Sequence, residues 1–433
     1  MLLLVPARTY RAADFLAAAG RMGLDLVVAS DGALPLGGRP VVRVSPEDIE
    51  GSADRIMARA GPVAAVVAAD TPMLPLAAEV AARLGLPHHP VAAVAAAADK
   101  AAQRRLWAAA TIAQPAFRIV PAAASPDAVP RAAAEVGYPC DAVPRAAAEV
   151  GYPCDAVPRA AAEVGYPCVV KAVSLSASQG VLRADDPAAA AAAATRIRLV
   201  LAAAGRPGSE PLLVEEYVPG PELSIDGLLT TGALTVTAVF DKPWTADGPT
   251  FEKTLLITPS RIRGPLLAEA VSAAAQAARA LGLTHGPIHA ELRIDERAGR
   301  PRPVMLELAA RSIGGLCSRA LRFGGASLEE LVLAHALGRP APWRPDAGAS
   351  RPSGVLMLPV PRPGVLVAVE GRAEAAATPG VTGLTITIPV GQQVRPLPEG
   401  DRYLGFIFAE GDTHQSVEGA LRAARTRLRV VIR

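Results

Sequence analysis

Residues 1 to about 95 alternate short apolar runs with longer helical stretches, and this alternation limits the possible folds more than any other feature. LLLVP, LDLVVAS and VAAVVAA read as buried strands. TYRAADFLAAAGRMG, RVSPEDIEGSADRIMARAG and PMLPLAAEVAARLG read as the helical stretches between them. Parallel neighbours need a long crossover, which a helix supplies, so the pattern predicts a parallel sheet covered by helices. No G-x-G-x-x-G follows the first strand, so a dinucleotide site is not supported there.

The next region holds a perfect repeat. DAVPRAAAEVGYPC occurs three times running, from Asp127 to Cys168. Each unit is complete by itself: Asp caps a helix, Pro fits its first turn, Gly ends it, and Tyr-Pro-Cys turns into a β run. Solenoid units are usually longer and diverge from one another. Two copies are therefore surplus, and an insertion extruded on the surface is the expectation.

A chain of 433 residues has room for two to four domains. No apolar stretch reaches the length of a membrane span, and the start lacks the basic region of a signal peptide. Three of the four cysteines (Cys140, Cys154, Cys168) follow the repeat spacing and the fourth is Cys317, so reduced thiols in a cytoplasmic protein are expected rather than a zinc site. The net charge of +3 comes with no Lys/Arg block, so neither nucleic acid nor a membrane is expected as a partner.

Beyond the repeat, VVKAV and VLRA form the arms of a hairpin around the loop SLSASQG. IHAELRID and PVMLELAA form another. A proline-rich linker from Gly338 precedes a last stretch in which GVLVAVEG, GLTITIP and YLGFIFAEG are strands. HQSVEGALRAARTRLRVVI reads as a closing helix.

In IHAELRID, His289, Glu291 and Arg293 share one face, opposite Ile288, Ala290, Leu292 and Ile294. In VMLEL, Val304, Leu306 and Leu308 lie opposite Glu307. Neighbouring strands can thus present Glu291 and Glu307 together, and hard cations such as Mg²⁺ take carboxylate oxygens. Taken alone, the hairpin reads as a solvated strand face. Its context favours a site. LLVEEYVPGPELSIDG places Glu215, Glu216 and Glu222 around a turn. Lys171 sits in an apolar strand, where an unpaired ammonium is costly and a phosphate would satisfy it. The small polar loop after it suits backbone contacts to phosphate.

Taken in order, Lys100 in ADKAAQRRL, Lys171 in PCVVKAV, the SLSASQGV loop, VEEYVPGPELSIDG, HAELRID and LELAARSIGG resemble the ATP-grasp superfamily over roughly residues 1 to 340. The stretch from GVLMLPVP to FIFAEGDT resembles the C-terminal domain of the L-amino-acid ligase branch. The resemblance implies a multidomain chain of α/β and α+β units. These are a Rossmann-like parallel-sheet domain over 1–95, an ATP-grasp fold of two α+β lobes clamping ATP over 96–340, with the repeat at 127–168, and an α+β domain over 341–433.

The resemblance also implies roles. Lys100 and Lys171 contact the α- and β-phosphates, and the loop with Ser176, Ser178 and Gly180 covers the triphosphate. Glu215, Glu216 and Val218 hold adenine, and Glu222 the ribose. Glu291 and Glu307 bind Mg²⁺ or Mn²⁺, and Arg311 stabilises the transferred phosphate. His289 lies within reach of the second substrate or a phosphate. Ala309 stands where many members have Asn, and Ala177 and Gln179 where Gly and a basic residue are frequent. The activity implied is ATP-dependent joining of a small carboxylate to an amine through an acyl phosphate, and a homodimer is an allowed assembly. A carboxylase or purine-pathway ligase, and an ATP-binding protein without turnover, remain alternatives.

Overall fold

The computed structural model describes residues 1–433 except 34–39, 122–155, 208, 244–247, 252–253, 298, 322 and 341–350. The first two repeat copies and most of the proline-rich linker therefore lie outside the described residues.

The N-terminal alternation forms the expected parallel sheet. β1 (Leu2–Leu4), β2 (Val27–Ser30), β3 (Val41–Arg43) and β4 (Val66–Ala68) lie in the order β3-β2-β1-β4. β1 is wholly buried, as a strand covered on both faces must be.

A second, antiparallel sheet carries Lys171 and Glu215. β5 (Phe117–Val120), β6 (Cys168–Ala172), β7 (Val181–Ala184) and β8 (Leu212–Glu216) lie in the order β5-β8-β6-β7. The third repeat copy behaves as one unit should. Its helix, Ala156–Val164, buries Val157, Ala160 and Ala161 against this sheet, and its Cys168 opens β6.

The largest sheet has eight strands in the order β13-β12-β9-β10-β11-β14-β18-β16. They are β9 (Glu222–Thr230), β10 (Ala233–Lys242), β11 (Leu255–Thr258), β12 (Gly286–Asp295), β13 (Arg302–Ala309), β14 (Ser353–Leu358), β16 (Val381–Ile386) and β18 (Gly405–Glu410). The sheet runs across residue 341, because β11 pairs with β14. A small sheet of β15 (Gly364–Glu370), β17 (Gln393–Val394) and β19 (Arg429–Ile432) stands beside it. β19 corrects the expected closing helix, which ends at Thr426. The run Arg-Val-Val-Ile is β-branched and pairs with β15.

Strand alternation turns one face of β12 into core. Ile288, Ala290, Leu292 and Ile294 are all buried against the helix Gly264–Ala280. Each fully buried Ile or Leu contributes about 1.5–3 kcal/mol, and this fixes which way the alternate residues point. Among the described residues no helix is long and apolar enough to cross a membrane.

Candidate active site

The residues opposite that core face line a cavity of about 230 Å³ between the second and third sheets. His289, Glu291 and Arg293 of β12 lie on its wall. Glu291 pairs in register with Glu307, so the two acids stand side by side as expected. The next pair is Leu292 with Met305, which leaves Leu306 as the extra residue of a bulge. The bulge corrects the expected face of Val304, Leu306 and Leu308. Leu308 goes to the core with Met305, while Leu306 and Glu307 both line the cavity.

The cavity is built from ion pairs. Lys171 Nζ lies 2.6 Å from Glu215 Oε2, and Arg104 Nε lies 2.5 Å from Glu215 Oε1. Arg104 also donates to the Leu306 carbonyl in the bulge, at 2.6 Å. Burial alone would raise the Glu215 carboxyl, but the Arg104 and Lys171 cations outweigh it and hold it below its ordinary range. Burial pulls Lys171 down to about 8, against the pull of Glu215. Lys171 is thus paired in the protein itself, where the sequence suggested an ammonium waiting for phosphate. Lys100 is the first residue of the helix Lys100–Ala109, whose N-terminus Asp99 caps. Its Nζ donates to the Leu175 carbonyl and lies 3.2 Å from Glu307. Lys242, at the end of β10, reaches Glu222 at 3.0 Å and Glu291 at 2.9 Å.

His289 has carboxylates on both ring nitrogens. Nδ1 is 3.0 Å from Asp226 and Nε2 is 3.3 Å from Glu291. Burial would lower its pKa, but Asp226 and Glu291 together outweigh burial and the pKa is raised. Asp226 is itself held by the Ile313 N–H at 2.6 Å. This ties β9 to the segment that carries Arg311.

At the other end, Tyr217 stacks on Phe251 with ring centroids 6.2 Å apart, and Arg183 lies 4.6 Å from the Tyr217 ring. Arg293 bonds the Val218 carbonyl at 2.8 Å and Glu222 at 3.2 Å. The Val-Pro-Gly-Pro turn needs its glycine: Gly220 has φ +106°, and a Cβ there would lie 2.1 Å from the Ile294 carbonyl. Glu216 points away from Glu215 and pairs with Arg297. An aromatic, partly apolar slot with backbone carbonyls suits a planar base.

Ser176 and Ser178 line the cavity and Gly180 does not. Gly180 turns the loop back from behind, with φ +62° and Leu175 and Ala172 packed around it. Arg311 reaches the cavity from the end of β13, bonding Thr71 at 2.7 Å and the Ser312 carbonyl at 2.9 Å. The structure therefore places on the cavity wall Lys100, Lys171, Ser176, Ser178, Glu215, Glu216, Val218, Glu222, His289, Glu291, Glu307 and Arg311.

Comparison with known proteins meets this geometry at two places. Residues 164–320 match the ATP-grasp domain family, and residues 356–433 match L-amino acid ligase C-terminal domain 2. The chain carries an ATP-grasp domain and an L-amino acid ligase C-terminal domain. The chain is 34% identical over 169 residues to carnosine synthase 1 of Gallus gallus, an alignment covering 37% of the chain and 17% of that protein's length. Its fold is similar to that of L-amino acid ligase from Bacillus licheniformis, with a TM-score of 0.76, 22% identity, and 100% and 98% of the two chains covered. An ATP complex of carboxyaminoimidazole ribonucleotide synthase from Aspergillus clavatus gives 0.70 at 15% identity, over 98% and 97%. Biotin carboxylase from Campylobacter jejuni gives 0.65 at 15%, over 100% and 92%.

Sequence reasoning missed Arg104, Asp226 and Lys242 around this ATP-grasp domain. Two signals could have found the cations. Arg104 lies four residues after Lys100, on the same helix face. The whole chain has only four lysines, Lys100, Lys171, Lys242 and Lys253. The first three line one cavity, and Lys253 lies outside the described residues.

Proposed function

We propose that the chain is an ATP-dependent carboxylate–amine ligase that forms an amide or peptide bond through an acyl phosphate and releases ADP and phosphate. Amino acids are the proposed substrates. The observation that carries this reading is the meeting of Lys100, Lys171, Lys242 and Arg311 with the register-paired Glu291 and Glu307 on one cavity wall.

A substrate carboxylate must approach the γ-phosphate against like charge. The lysines and Arg311 reduce that repulsion and stabilise charge on the transferring phosphoryl group. Arg311 suits this role because a planar fork matches phosphate oxygens. The slot between Tyr217, Phe251 and Val218 receives the base. The Ser176–Gly180 loop keeps water from the acyl phosphate until the amine attacks. His289, held between Asp226 and Glu291, stands where it can touch the second substrate.

The residues present also fit a hard divalent cation. Glu291 and Glu307 supply oxygen donors on neighbouring strands. No group of three or more metal-ligating side chains occurs among the described residues, so phosphate oxygens and water would complete the shell. Mg²⁺ or Mn²⁺ bound there would neutralise phosphate charge. The C-terminal family match and the names of the relatives support amino-acid substrates. The buried free thiols of Cys168 and Cys317 suit the reducing cytoplasm.

The test is a mass-spectrometric product screen over amino-acid pairs with ATP and Mg²⁺, with ADP release measured in parallel. Amide product with stoichiometric ADP is expected. ATP binding without ADP release on any substrate would overturn the reading in favour of an ATP-binding protein, and ADP release driven by bicarbonate would point to a carboxylase.

A further inference from the structure

Resting on that reading, we propose that Glu399 is a positioning residue that locks the phosphate loop shut against the C-terminal part of the chain. The loop from Ser174 to Gly180 is tied at both ends. At its start, the Glu210 carboxylate accepts from the Val173 and Ser174 N–H groups at 3.2 and 3.0 Å and from the Ser174 hydroxyl at 2.7 Å. At its end, the Gly180 N–H donates to the Pro398 carbonyl at 3.1 Å. The Gln179 side-chain amide donates to the Glu399 carbonyl at 3.0 Å.

Between these ties Ala177 and Ser178 have φ +55° and +60°. Two successive residues with a Cβ rarely hold that conformation unless their surroundings impose it. The surroundings here are residues 396–403. Glu399 is fixed by a two-point ion pair with Arg196, at 2.5 and 3.0 Å. Arg196 stands on the helix Pro187–Ala203, which packs on the same lobe as the loop. Two and four residues further on, Asp401 and Tyr403 line the cavity. Tyr403 is held in turn by Tyr10, whose hydroxyl accepts from the Tyr403 N–H at 3.1 Å. One short segment thus carries both the latch of the phosphate loop and part of the cavity wall. Closing the loop and completing that wall become a single event. An acyl phosphate formed behind a closed latch meets the amine before it meets water.

The experiment compares the full chain with Glu399→Ala, Gln179→Ala, and the exchange Arg196→Glu with Glu399→Arg. One readout is the ratio of ADP released to amide formed. The other is amide hydrogen exchange in peptides covering residues 174–183 of the free protein. Glu399→Ala is expected to raise the ADP-to-amide ratio and to speed loop exchange, each by about fivefold, the scale of ~1 kcal/mol for a part-buried two-point ion pair. The exchanged pair should recover most of both. Gln179→Ala leaves the ion pair intact and should shift exchange in the same direction, which keeps the test usable if Glu399→Ala folds poorly. Unchanged loop exchange in Glu399→Ala and Gln179→Ala would overturn the latch. So would an exchanged pair no better than either single change. Because exchange does not depend on turnover, a protein that makes no amide would refute the ligase reading while the exchange result still decides the latch.

Discussion

Lys171 offers a pH test of the proposed nucleotide site. Burial holds its ammonium near 8, against an ordinary value of 10.5. That difference amounts to about 3 kcal/mol of preference for the neutral amine. In the free protein, below pH 8, both native and unfolded chains carry the proton and the native state bears the cost of the buried charge. Between about 8 and 10.5 the native lysine is neutral while the unfolded chain still holds a proton, so stability rises with pH in that window. A phosphate beside Nζ reverses the preference. Nucleotide binding should then take up a proton above pH 8, and affinity should fall by up to about tenfold per pH unit, or about thirtyfold by pH 9.5. Tyr10 and Cys317 also line the cavity but titrate near 12, outside the window. The assay is titration calorimetry of a non-hydrolysable ATP analogue from pH 7 to 9.5, in two buffers of different ionisation enthalpy. Lys171→Met should bind about tenfold or more weakly at pH 7, the scale of a charged hydrogen bond, with the slope above pH 8 gone. A flat wild-type profile, or an unchanged slope in Lys171→Met, would refute the argument.

Three further outcomes are expected. Glu307→Ala should lower ADP release by on the order of a thousandfold while leaving the fold intact by circular dichroism, because the carboxylate faces the cavity and not the core; a near-normal rate would remove it from the site. His89 and His335 are held neutral by burial, near 4 against an ordinary 6.5. The unfolded chain therefore binds more protons as pH drops from about 6.5 to 4, and stability should fall over that range by about 3 kcal/mol for His89 and less for half-buried His335. Denaturant melts at pH 7 and 4.5 would show it, and an acid limb unaltered in His89→Asn would contradict it. Deleting residues 127–154 joins Pro126 to Asp155 and keeps the copy whose helix packs on the second sheet, so melting temperature and ATP affinity should hold or rise slightly; a folded but inactive deletion protein would show that the extra copies serve the site.

Much of this site was legible because strand alternation is a local rule. The partition of β12 into core and cavity faces needed only the order of eight letters. The bulge at Leu306 was not legible, because it is a property of pairing with β12 and not of β13 alone. The end of the last helix was lost for a similar reason: Arg429–Ile432 leaves the helical pattern to pair with a strand some sixty residues earlier. The continuity of the large sheet across residue 341 depends on long-range pairing between β11 and β14, which no window of sequence contains. Glu215 shows the limit at one residue. The turn it shares with Glu216 and Glu222 drew notice to it, but its partners, Arg104 on a helix and Lys171 on a neighbouring strand, come together only in the folded chain.

The closed electrostatics of the cavity carry a last consequence. Each lysine on its wall is matched by an acid: Lys100 by Glu307, Lys171 by Glu215, Lys242 by Glu222 and Glu291. A nucleotide that took the lysines alone would remove Lys242 from Glu291 and Lys100 from Glu307 in a part-buried place. A divalent cation that took those acids alone would take Glu307 from Lys100 and leave Lys242 with Glu222 only. Removing one partner of a buried pair is costly, so either ligand alone is opposed by the charge it orphans. Together they exchange partners without leaving a charge unmatched. Nucleotide and cation should therefore bind with strong positive coupling, and by linkage each should tighten the other by the same factor. The measurement is the affinity of an ATP analogue with and without Mg²⁺, and of Mn²⁺ with and without the analogue. A coupling of about a hundredfold is expected, within the usual span of 1–3 kcal/mol for linked sites. Repeating it in Glu291→Gln with Glu307→Gln should abolish the coupling, because the neutral amides give the lysines up without loss. A coupling that survives in that double variant would mean that the cation is held by the nucleotide alone, and the paired acids would lose their place in the site.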